Sequence, residues 1–344
     1  MPVSFSISGS STTSSLVVSQ SDTHSRPFVP HLDSQARTLL QSALSKSTKS
    51  AYRHSWKLLL EFCNSRQLTL SLPLPSMLIC NFIGHLFSKS YSPSTITSHI
   101  SAVSYIHKIL EIEDKSNSFI VRKMLKGCDN AQGNRGDTRL PITKPILTQM
   151  LSGLELCISD PAIRLLLKAV FLLSFSAFLR LGEVLIRLKA ESVKVLQVRD
   201  VQFSDFDTCM CPSVPKTATL TLRHFKNMKS HHPVSISLAA NMSDPAFCSV
   251  RALFLYLQHF GHSDGPLFQF PNHNPVTHHF VTTHMAKILQ FIGIDNTFYK
   301  GHSFRIGAAT HFANLGYSES YIKTLGRWNS NALERYIRID AFKL

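Results

Sequence analysis

The sequence lacks several features that would assign it to common classes of protein. No apolar run approaches the roughly 20 residues that a membrane-spanning helix needs, and the opening residues show no basic segment followed by an apolar one. We therefore recognise no secretory signal and expect the protein to act inside the cell. Its 7 cysteines, an odd number at irregular spacing, do not form the pattern of a disulfide framework.

Acidic residues are scarce relative to basic ones. Lys and Arg total 36 and Asp and Glu total 21, which gives a formal net charge of +15 at pH 7. An excess this large, in a chain without a membrane-anchoring motif, favours a polyanionic partner, and nucleic acid is the commonest one. We expect neither a membrane nor a small-molecule substrate as partner.

A metal site is an alternative use of the cysteines and histidines. The side chains to consider are Cys209, Cys211, His278, His279 and His284. Metal sites are typically built from C-x-x-C or paired histidine motifs, and these residues follow neither pattern. The sequence therefore predicts no metal and no cofactor, with this set of residues as the alternative.

The chain is long enough for two domains and a substantial core. Residues 1–33 are rich in Ser and Thr without a lasting apolar period, which predicts a disordered tail. Residues 34–132 show helical periodicity and are predicted to form a helical domain. The Gly- and Pro-containing stretch 133–145 is predicted to be a linker, and residues 146–344 a second domain.

In the first domain, apolar residues recur at helical spacing. One stripe consists of Tyr52, Trp56, Leu59 and Cys63. Ser92 followed by Pro93 is a start signal for another helix, and a further helix is predicted from Ser118 to Leu125. The basic residues that lie mostly off the stripe are Lys46, Lys49, Arg53 and Lys57. The result is a bundle of four or five helices, whose basic residues either contact DNA or form a solvated face.

The second domain mixes helical and strand patterns. Buried helices are predicted at Ile146–Leu156 and Ala162–Ala177, and Asp244 with Pro245 is predicted to open another helix, Val250–Phe260. The stretches VLQVRDVQF and TATLTLRHFKNMKSHHPVSISL alternate apolar and polar residues, as antiparallel strands do. Lys226 lies at the predicted hairpin tip between the last two strands. The fold prediction is mainly α, with a small antiparallel sheet.

A guanidinium group ends a long apolar run. Arg180 follows VFLLSFSAFL, where a charge is costly to desolvate unless an anion or a carboxylate meets it. Glu183, three residues on, can pair with it. The pair is either a structural ion pair or a support that aims Arg180 at a phosphate.

A second group of polar and aromatic residues lies near the carboxyl end. His302 and Arg305 share one face at the start of a predicted helix, and a helix N-terminus favours anions. A second helix is predicted to stop at Gly326, and Trp328 and Tyr336 follow it. Each residue alone is common on a surface or in a core, whereas the joint pattern is specific.

Together these segments resemble the signature of the tyrosine recombinases, the phage-integrase family. The matching motifs are R-x-G-E at Arg180, H-x-x-R within GHSFR, the LGRW element, and the tyrosine of ALERYIR. The hairpin carries Phe225-Lys226-Asn227 where the family usually has S-K-T, and Lys229 is the competing lysine. The resemblance extends over about residues 35–340.

The resemblance implies a helical core-binding (SAM-like) domain followed by an α+β catalytic domain. It implies DNA cutting and rejoining through a 3′-phosphotyrosyl intermediate, with no cofactor. The implied catalytic residues are Arg180, Lys226, His302, Arg305, Trp328 and Tyr336, with Glu183 behind Arg180. Double-stranded DNA would be the partner and a homotetramer on two DNA sites the active unit. A mobile element would be the source, and the Ser-rich tail favours a eukaryotic nucleus.

Two alternative functions stay open at this point. One is a DNA-binding protein that derives from such an enzyme and no longer cuts; the complete residue set argues against it, because drift would break at least one member. The other is a DNA-relaxing enzyme similar to type IB topoisomerases, which also use Arg, Lys, His and Tyr. The LGRW element disfavours that second alternative.

Overall fold

The computed structural model describes residues 33–133, 138–207, 214–225, 232–328, 333 and 336–337. These residues fall into two compact units that divide between Gly133 and Thr138. Of the predicted tail, all but Asp33 lies outside the described residues. Every helix in the described part of the chain is too short or too polar to cross a membrane.

The first unit is a bundle of helices. Its elements are α1 (Ser34–Ser42), α2 (Lys46–Ser65), α3 (Ser76–Ser88), α4 (Pro93–Ile109) and α5 (Phe119–Gln132). Ser45 and Ser92 begin α2 and α4 by accepting hydrogen bonds from the backbone N–H groups of Thr48 and Thr95, at 3.1 and 3.3 Å. Such caps satisfy N–H groups that a helix leaves without an internal partner.

The core of the first unit follows the predicted stripe. Leu59 and Cys63 are buried and Tyr52 and Trp56 are partly buried. Around them pack apolar residues of α3, α4 and α5, among them Ile79, Phe82, Ile83, Ile96, Ile100 and Val121. The helix predicted at Ser118–Leu125 is longer than expected, because helical hydrogen bonding continues to Gln132 beyond the apolar signal.

The second unit packs helices around a three-stranded sheet. Its elements are α6 (Lys144–Cys157), α7 (Pro161–Ser176), α8 (Leu181–Val184), β1 (Val201–Asp207), β2 (Val214–Leu222), β3 (Val234–Ala239), α9 (Ser249–Phe260), α10 (His278–Phe291), α11 (Ser303–Asn314) and α12 (Glu319–Gly326). The strands lie in the order β1-β2-β3 and both pairs are antiparallel. The prediction of a mainly helical fold with a small antiparallel sheet is confirmed.

Two local predictions in this unit are right about the kind of element but wrong about where the element begins. The stretch VLQVRD does not begin a strand, because Asp200 accepts a hydrogen bond from the N–H of Gln197 at 3.1 Å and holds a 3₁₀ turn, so β1 begins at Val201. The helix predicted at Val250–Phe260 is present as α9, but Asp244 opens only the 3₁₀ turn Pro245–Phe247. The helix α9 begins after it at Ser249, where the sulfur of Cys248 accepts from the N–H of Arg251.

The start of the second unit fixes the position of α11. The N–H of Ile142 donates to the carbonyl of Ser303 at 2.9 Å, and the N–H of Leu140 donates to Phe298 at 2.9 Å. Gly307 lets α11 approach this segment, because a Cβ there would collide with the carbonyl oxygen of Ile142. Backbone contact at Gly307 therefore holds the helix that carries Arg305.

We expect Gly307→Ala to lower the free energy of unfolding of the second unit by about 1–3 kcal/mol, since the backbone has to separate to admit a methyl group. Gly127→Ala is the matched control, because Gly127 lies in α5 with open space around its Cα and should gain about 0.5–1 kcal/mol. Urea unfolding of a Trp56→Phe background, in which Trp328 fluorescence reports the second unit, measures the first effect. An unchanged midpoint for Gly307→Ala would show that the contact is not close.

A buried histidine links two helices of the first unit. His99 on α4 is 6% exposed, and its Nδ1 lies 2.8 Å from the Ser55 hydroxyl on α2. Burial, followed by the nearby charge of His54, lowers the pKa of His99 below its ordinary value of 6.5. Because the pKa of His99 is lower in the folded chain than in the unfolded chain, the unfolded chain binds more protons just below pH 6.5. The contribution of neutral His99 to the free energy of unfolding is therefore complete above that pH and is lost as the pH falls.

We therefore expect the urea concentration at the unfolding midpoint of the first unit to decrease as the pH is lowered from about 7.5 to about 5.5. The chain has 2 tryptophans, so a Trp328→Phe background leaves Trp56 to report this unit by fluorescence. His99→Gln should reduce the pH dependence of this midpoint. Burial also lowers the pKa of His85, but His85 is present in both of the proteins compared. Equal pH dependence with and without His99 would contradict the assignment.

Candidate active site

The turn after α7 presents a backbone carbonyl to the interior. Phe178 has a left-handed backbone conformation with φ 50°. Its N–H donates to the carbonyl of Phe175 at 3.3 Å, and that of Leu179 donates to Ser174 at 3.0 Å. These two bonds define a Schellman motif with phenylalanine at the position that usually carries glycine. A side chain there costs about 1–2 kcal/mol, so the surrounding packing has to hold the turn.

Arg180 and Glu183 follow this turn and lie in close contact. The Arg180 Nη1 is 2.9 Å from Oε1 of Glu183, and the backbone N–H of Arg180 donates to Oε2 at 3.0 Å. The Glu183 side chain is 4% exposed and that of Arg180 is 16% exposed. The predicted ion pair is present, and Glu183 also fixes the backbone at the start of α8.

The end of α12 mirrors the end of α7. Arg327 has φ 55°, and its N–H donates to the carbonyl of Thr324 at 3.0 Å, while that of Trp328 donates to Lys323 at 3.0 Å. This is again a Schellman motif without glycine at the left-handed position. Gly326 lies against the indole of Trp328, where any Cβ would collide with the ring.

The side chain of Arg327 connects the two turns. Its Nη1 donates to the carbonyl of Ala177 at 3.3 Å, and its Nη2 donates to the carbonyl of Phe178 at 3.2 Å and to Oε2 of Glu183 at 3.0 Å. The side chain is 7% exposed. Glu183 is therefore shared by two guanidinium groups, those of Arg180 and Arg327.

Arg305 lies at the centre of this arrangement and is completely buried, with 0% exposure. Its Nη1 donates to the carbonyl of Phe178 at 2.7 Å, and its Nη2 donates to the carbonyl of Gly326. Its guanidinium carbon is 4.4 Å from the ring centre of Trp328 and 5.9 Å from that of Tyr336. These contacts with the two aromatic rings stabilise the guanidinium cation.

The charges around Arg305 are unbalanced. Burial is the largest cause that lowers its pKa to about 9, and the charges of Arg180 and Arg327 act in the same direction. Glu183 and Tyr336 oppose this effect. Arg305 remains protonated at neutral pH. Among the described residues the cluster contains three guanidinium groups and one carboxylate, so these groups together carry an excess of positive charge. A bound anion would correct that excess.

Tyr336 lies at the edge of the cluster. Its ring centre is 4.8 Å from that of Trp328, and the planes are inclined by 51°. Its backbone carbonyl accepts from the hydroxyl of Thr310 at 3.2 Å, and its N–H donates to Leu333 at 2.7 Å. The phenol is thus held beside α11, the helix that carries Arg305.

Some donors of the cluster have no partner within the described part of the chain. They are the Nε atoms of Arg305 and Arg327 and the indole Nε1 of Trp328, and each is buried. A buried N–H without an acceptor costs roughly 1–3 kcal/mol. Three such donors beside an excess of positive charge are typical of a site that takes oxygen atoms of an anion.

Comparison with known proteins clarifies the fold. A scan against protein-family models finds no match. A search of curated proteins also finds none. Among solved structures, XerH site-specific recombinase bound to palindromic difH substrate has a TM-score of 0.57 at 13% identity, over 83% of this chain and 75% of that one.

Two further structures are similar. A lambda integrase dimer bound to a COC′ core site has a TM-score of 0.57 at 13% identity, over 90% of this chain and 94% of that one. The integrase of transposon Tn1549 in complex with circular intermediate DNA has a TM-score of 0.55 at 13% identity, over 89% and 94% of the two chains. The fold is that of the tyrosine recombinases.

Within this recombinase fold, most of the predicted site residues lie together. Arg305 contacts the rings of Trp328 and Tyr336, and it lies close enough to the ion pair of Arg180 and Glu183 for their charges to act on its pKa. His302 begins α11 three residues before Arg305 and is partly buried. Lys226 and Lys229 lie outside the described residues.

Arg327 is not among the site residues predicted from the sequence. Its signal was its place inside the LGRW element, directly between the glycine that ends α12 and the tryptophan. The alternative metal ligands Cys209 and Cys211 lie outside the described residues. Among the residues that are described, no group of three or more His, Cys, Asp or Glu side chains could hold a metal ion.

We expect Glu183→Gln to lower the free energy of unfolding of the second unit by about 3–5 kcal/mol, because it leaves two buried guanidinium groups without their shared carboxylate. Glu319→Gln is the matched control: Glu319 is 67% exposed and pairs with Lys323 at 3.5 Å on the surface of α12. Its loss should cost less than about 1 kcal/mol. Urea unfolding followed by Trp328 fluorescence measures both, and equal effects would contradict a buried role for Glu183.

Proposed function

We propose that this protein is a site-specific DNA recombinase that cuts and rejoins DNA through a 3′-phosphotyrosyl intermediate. The observation that carries the proposal is the cluster of Arg180 with the buried Arg305 and Arg327, in which some donors have no acceptor among the described residues and the phenol of Tyr336 lies at the edge. Neighbouring structures with the same fold are recombinases and integrases bound to DNA. A chain with a net charge of +15 suits the same partner.

The cluster provides what phosphoryl transfer needs. As the phosphorus becomes pentavalent, negative charge builds on its non-bridging oxygens, and fixed guanidinium groups in a water-poor site stabilise it strongly. Arg180 and Arg305 supply that charge, and the indole N–H of Trp328 holds one oxygen. Preorganised cations thus fill the role that metal ions have in other phosphoryl transfers.

The covalent step moves one bond. The phenolic oxygen of Tyr336 attacks the phosphorus in line, the bond from phosphorus to the 5′-oxygen breaks, and a 3′-phosphotyrosyl link forms. His302 takes the phenolic proton directly or through a relay, and Lys226 gives a proton to the leaving 5′-oxygen. Attack by another 5′-hydroxyl reverses these steps and joins the strand to a new partner.

Access to Arg305 requires a rearrangement on DNA binding. Its guanidinium is fully buried, bonded to the carbonyls of Phe178 and Gly326, and covered by the rings of Trp328 and Tyr336. Phosphate oxygens replace those carbonyls as acceptors when Tyr336 moves off Trp328. The same movement carries the phenol toward the phosphorus.

The first unit supplies DNA contact in this proposal. Lys46, Arg53 and Lys57 are exposed on α2, away from the buried face that carries Leu59. Lys57 lies 3.7 Å from Glu61, a surface pair that a phosphate can break at small cost. By similarity to the lambda integrase tetramer on a Holliday junction, we propose that four copies act together on two DNA sites. A mobile-element origin and a nuclear location belong to the same proposal.

The test is a denaturation-resistant protein-DNA adduct. We expect the wild-type chain, mixed with a random-sequence duplex library, to yield an adduct that survives detergent and whose DNA can be sequenced. Tyr336→Phe should abolish it, because no nucleophile remains. Tyr321→Phe is the matched control, since Tyr321 is an exposed tyrosine on α12 that stacks on Tyr317.

Removing an arginine should slow the reaction without removing the nucleophile. Arg180→Ala should lower the rate of adduct formation by about 10²–10³-fold, the usual loss for one transition-state donor. Absence of any wild-type adduct, or persistence of the adduct in Tyr336→Phe, contradicts the proposed function. If the protein forms the adduct and relaxes supercoiled DNA but exchanges no strands between two duplexes, the result would favour a topoisomerase instead.

A further inference from the structure

Arg327 occupies a backbone position that usually carries glycine. Its φ of 55° and ψ of 44° lie in the left-handed region, at the end of α12. Glycine adopts this conformation without the steric cost that a Cβ brings. A long charged side chain at such a position needs a compensating interaction.

The compensating interactions of Arg327 are all made with the segment that carries Arg180. The guanidinium of Arg327 reaches the carbonyls of Ala177 and Phe178 at 3.3 and 3.2 Å. It also reaches Oε2 of Glu183 at 3.0 Å. These contacts span 144–150 residues of chain, so the end of α12 is joined to the segment that carries Arg180.

Glu183 depends on Arg327 for its orientation. One carboxylate oxygen bonds the guanidinium of Arg180 at 2.9 Å, and the other bonds both the N–H of Arg180 and the guanidinium of Arg327 at 3.0 Å. Arg327 thus fixes the oxygen that does not hold the side chain of Arg180. Without it, only the backbone N–H of Arg180 holds that oxygen, so the carboxylate and the Arg180 guanidinium bonded to it are less firmly oriented.

We propose that Arg327 is a positioning residue for the cutting reaction. It holds Glu183, and through Glu183 it sets the direction of Arg180, while its bond to Phe178 fixes the carbonyl that Arg305 also uses. The inference rests on the proposed function and deepens it. Both Nη atoms of Arg327 are occupied by protein acceptors, so we assign its part in the reaction to its contacts with Glu183 and Phe178.

Three substitutions separate charge from backbone conformation. Arg327→Gly removes the guanidinium and relaxes the left-handed turn. Arg327→Met keeps a long side chain, with the same backbone cost, but has no charge. Arg327→Lys keeps the charge, yet a single ammonium cannot reproduce the fork that joins Phe178 to Glu183.

The measurements are the dissociation constant for the duplex and the rate of adduct formation at saturating duplex. The duplex is the sequence recovered from wild-type adducts, and Trp328 fluorescence verifies that each variant is folded. We expect Arg327→Gly and Arg327→Met to slow adduct formation by about 10–100-fold, as loss of a supporting contact does elsewhere. The dissociation constant should not change, and Arg327→Lys should recover part of the rate.

A double substitution tests the route of the effect. If Arg327 acts through Glu183, adding Arg327→Gly to Glu183→Gln should slow the reaction no further, since contacts in one network are not additive. Full additivity of the two changes would overturn the proposal. So would a loss of duplex affinity equal to the loss of rate, which would indicate direct DNA contact.

The outcomes separate this inference from the proposed function. If the wild-type chain forms no adduct, the proposed function fails and this inference fails with it. If the wild type forms the adduct and folded Arg327→Gly or Arg327→Met keeps the wild-type rate, only the inference fails. Should Arg327→Gly not fold, equal rates for Arg327→Lys and Arg327→Met would show that the charge is irrelevant and overturn the proposal.

Discussion

The buried guanidinium of Arg305 is the constraint on which the rest of the site depends. A cation removed from water needs acceptors, and the chain supplies the carbonyls of Phe178 and Gly326 and the faces of two aromatic rings. Those carbonyls are available because two helices end in left-handed turns that direct them inward. The strained residues Phe178 and Arg327 thus lie where the cation requires them.

The carboxylate of Glu183 has a complementary role. It is shared between Arg180 and Arg327, so it holds together two segments that are distant in the chain. It does not neutralise the cluster, because three guanidinium groups surround it. A site that is internally bonded yet retains positive charge is suited to bind an anion, because its charged groups are already held close together.

Helix packing delivers these groups to one place. The tight contact of Gly307 with Ile142 sets the depth of α11, and Gly326 admits the indole of Trp328 at the end of α12. Tyr336 then packs on that indole. The small residues of these segments matter for the site because they allow approach where any side chain would block it.

The sequence by itself determined the residue types and their pairing over short distances. The R-x-G-E spacing sets the contact of Arg180 with Glu183, because the side chain of the third helical residue reaches back to the residue that precedes the helix. The start signals at Ser45 and Ser92 likewise depend on neighbours three residues away. The alternating stretches gave the three strands, although the local cap at Asp200 moved the first boundary.

Only the tertiary structure decided how these segments meet. Nothing local in the sequence shows that Arg305 is fully buried, or that Arg327 crosses to Glu183 over 144 residues. Both depend on the angle at which two helices end and on carbonyls supplied by another segment, which periodicity and spacing do not encode. Long-range desolvation and hydrogen bonding, rather than local propensity, assigned Arg327 its contacts.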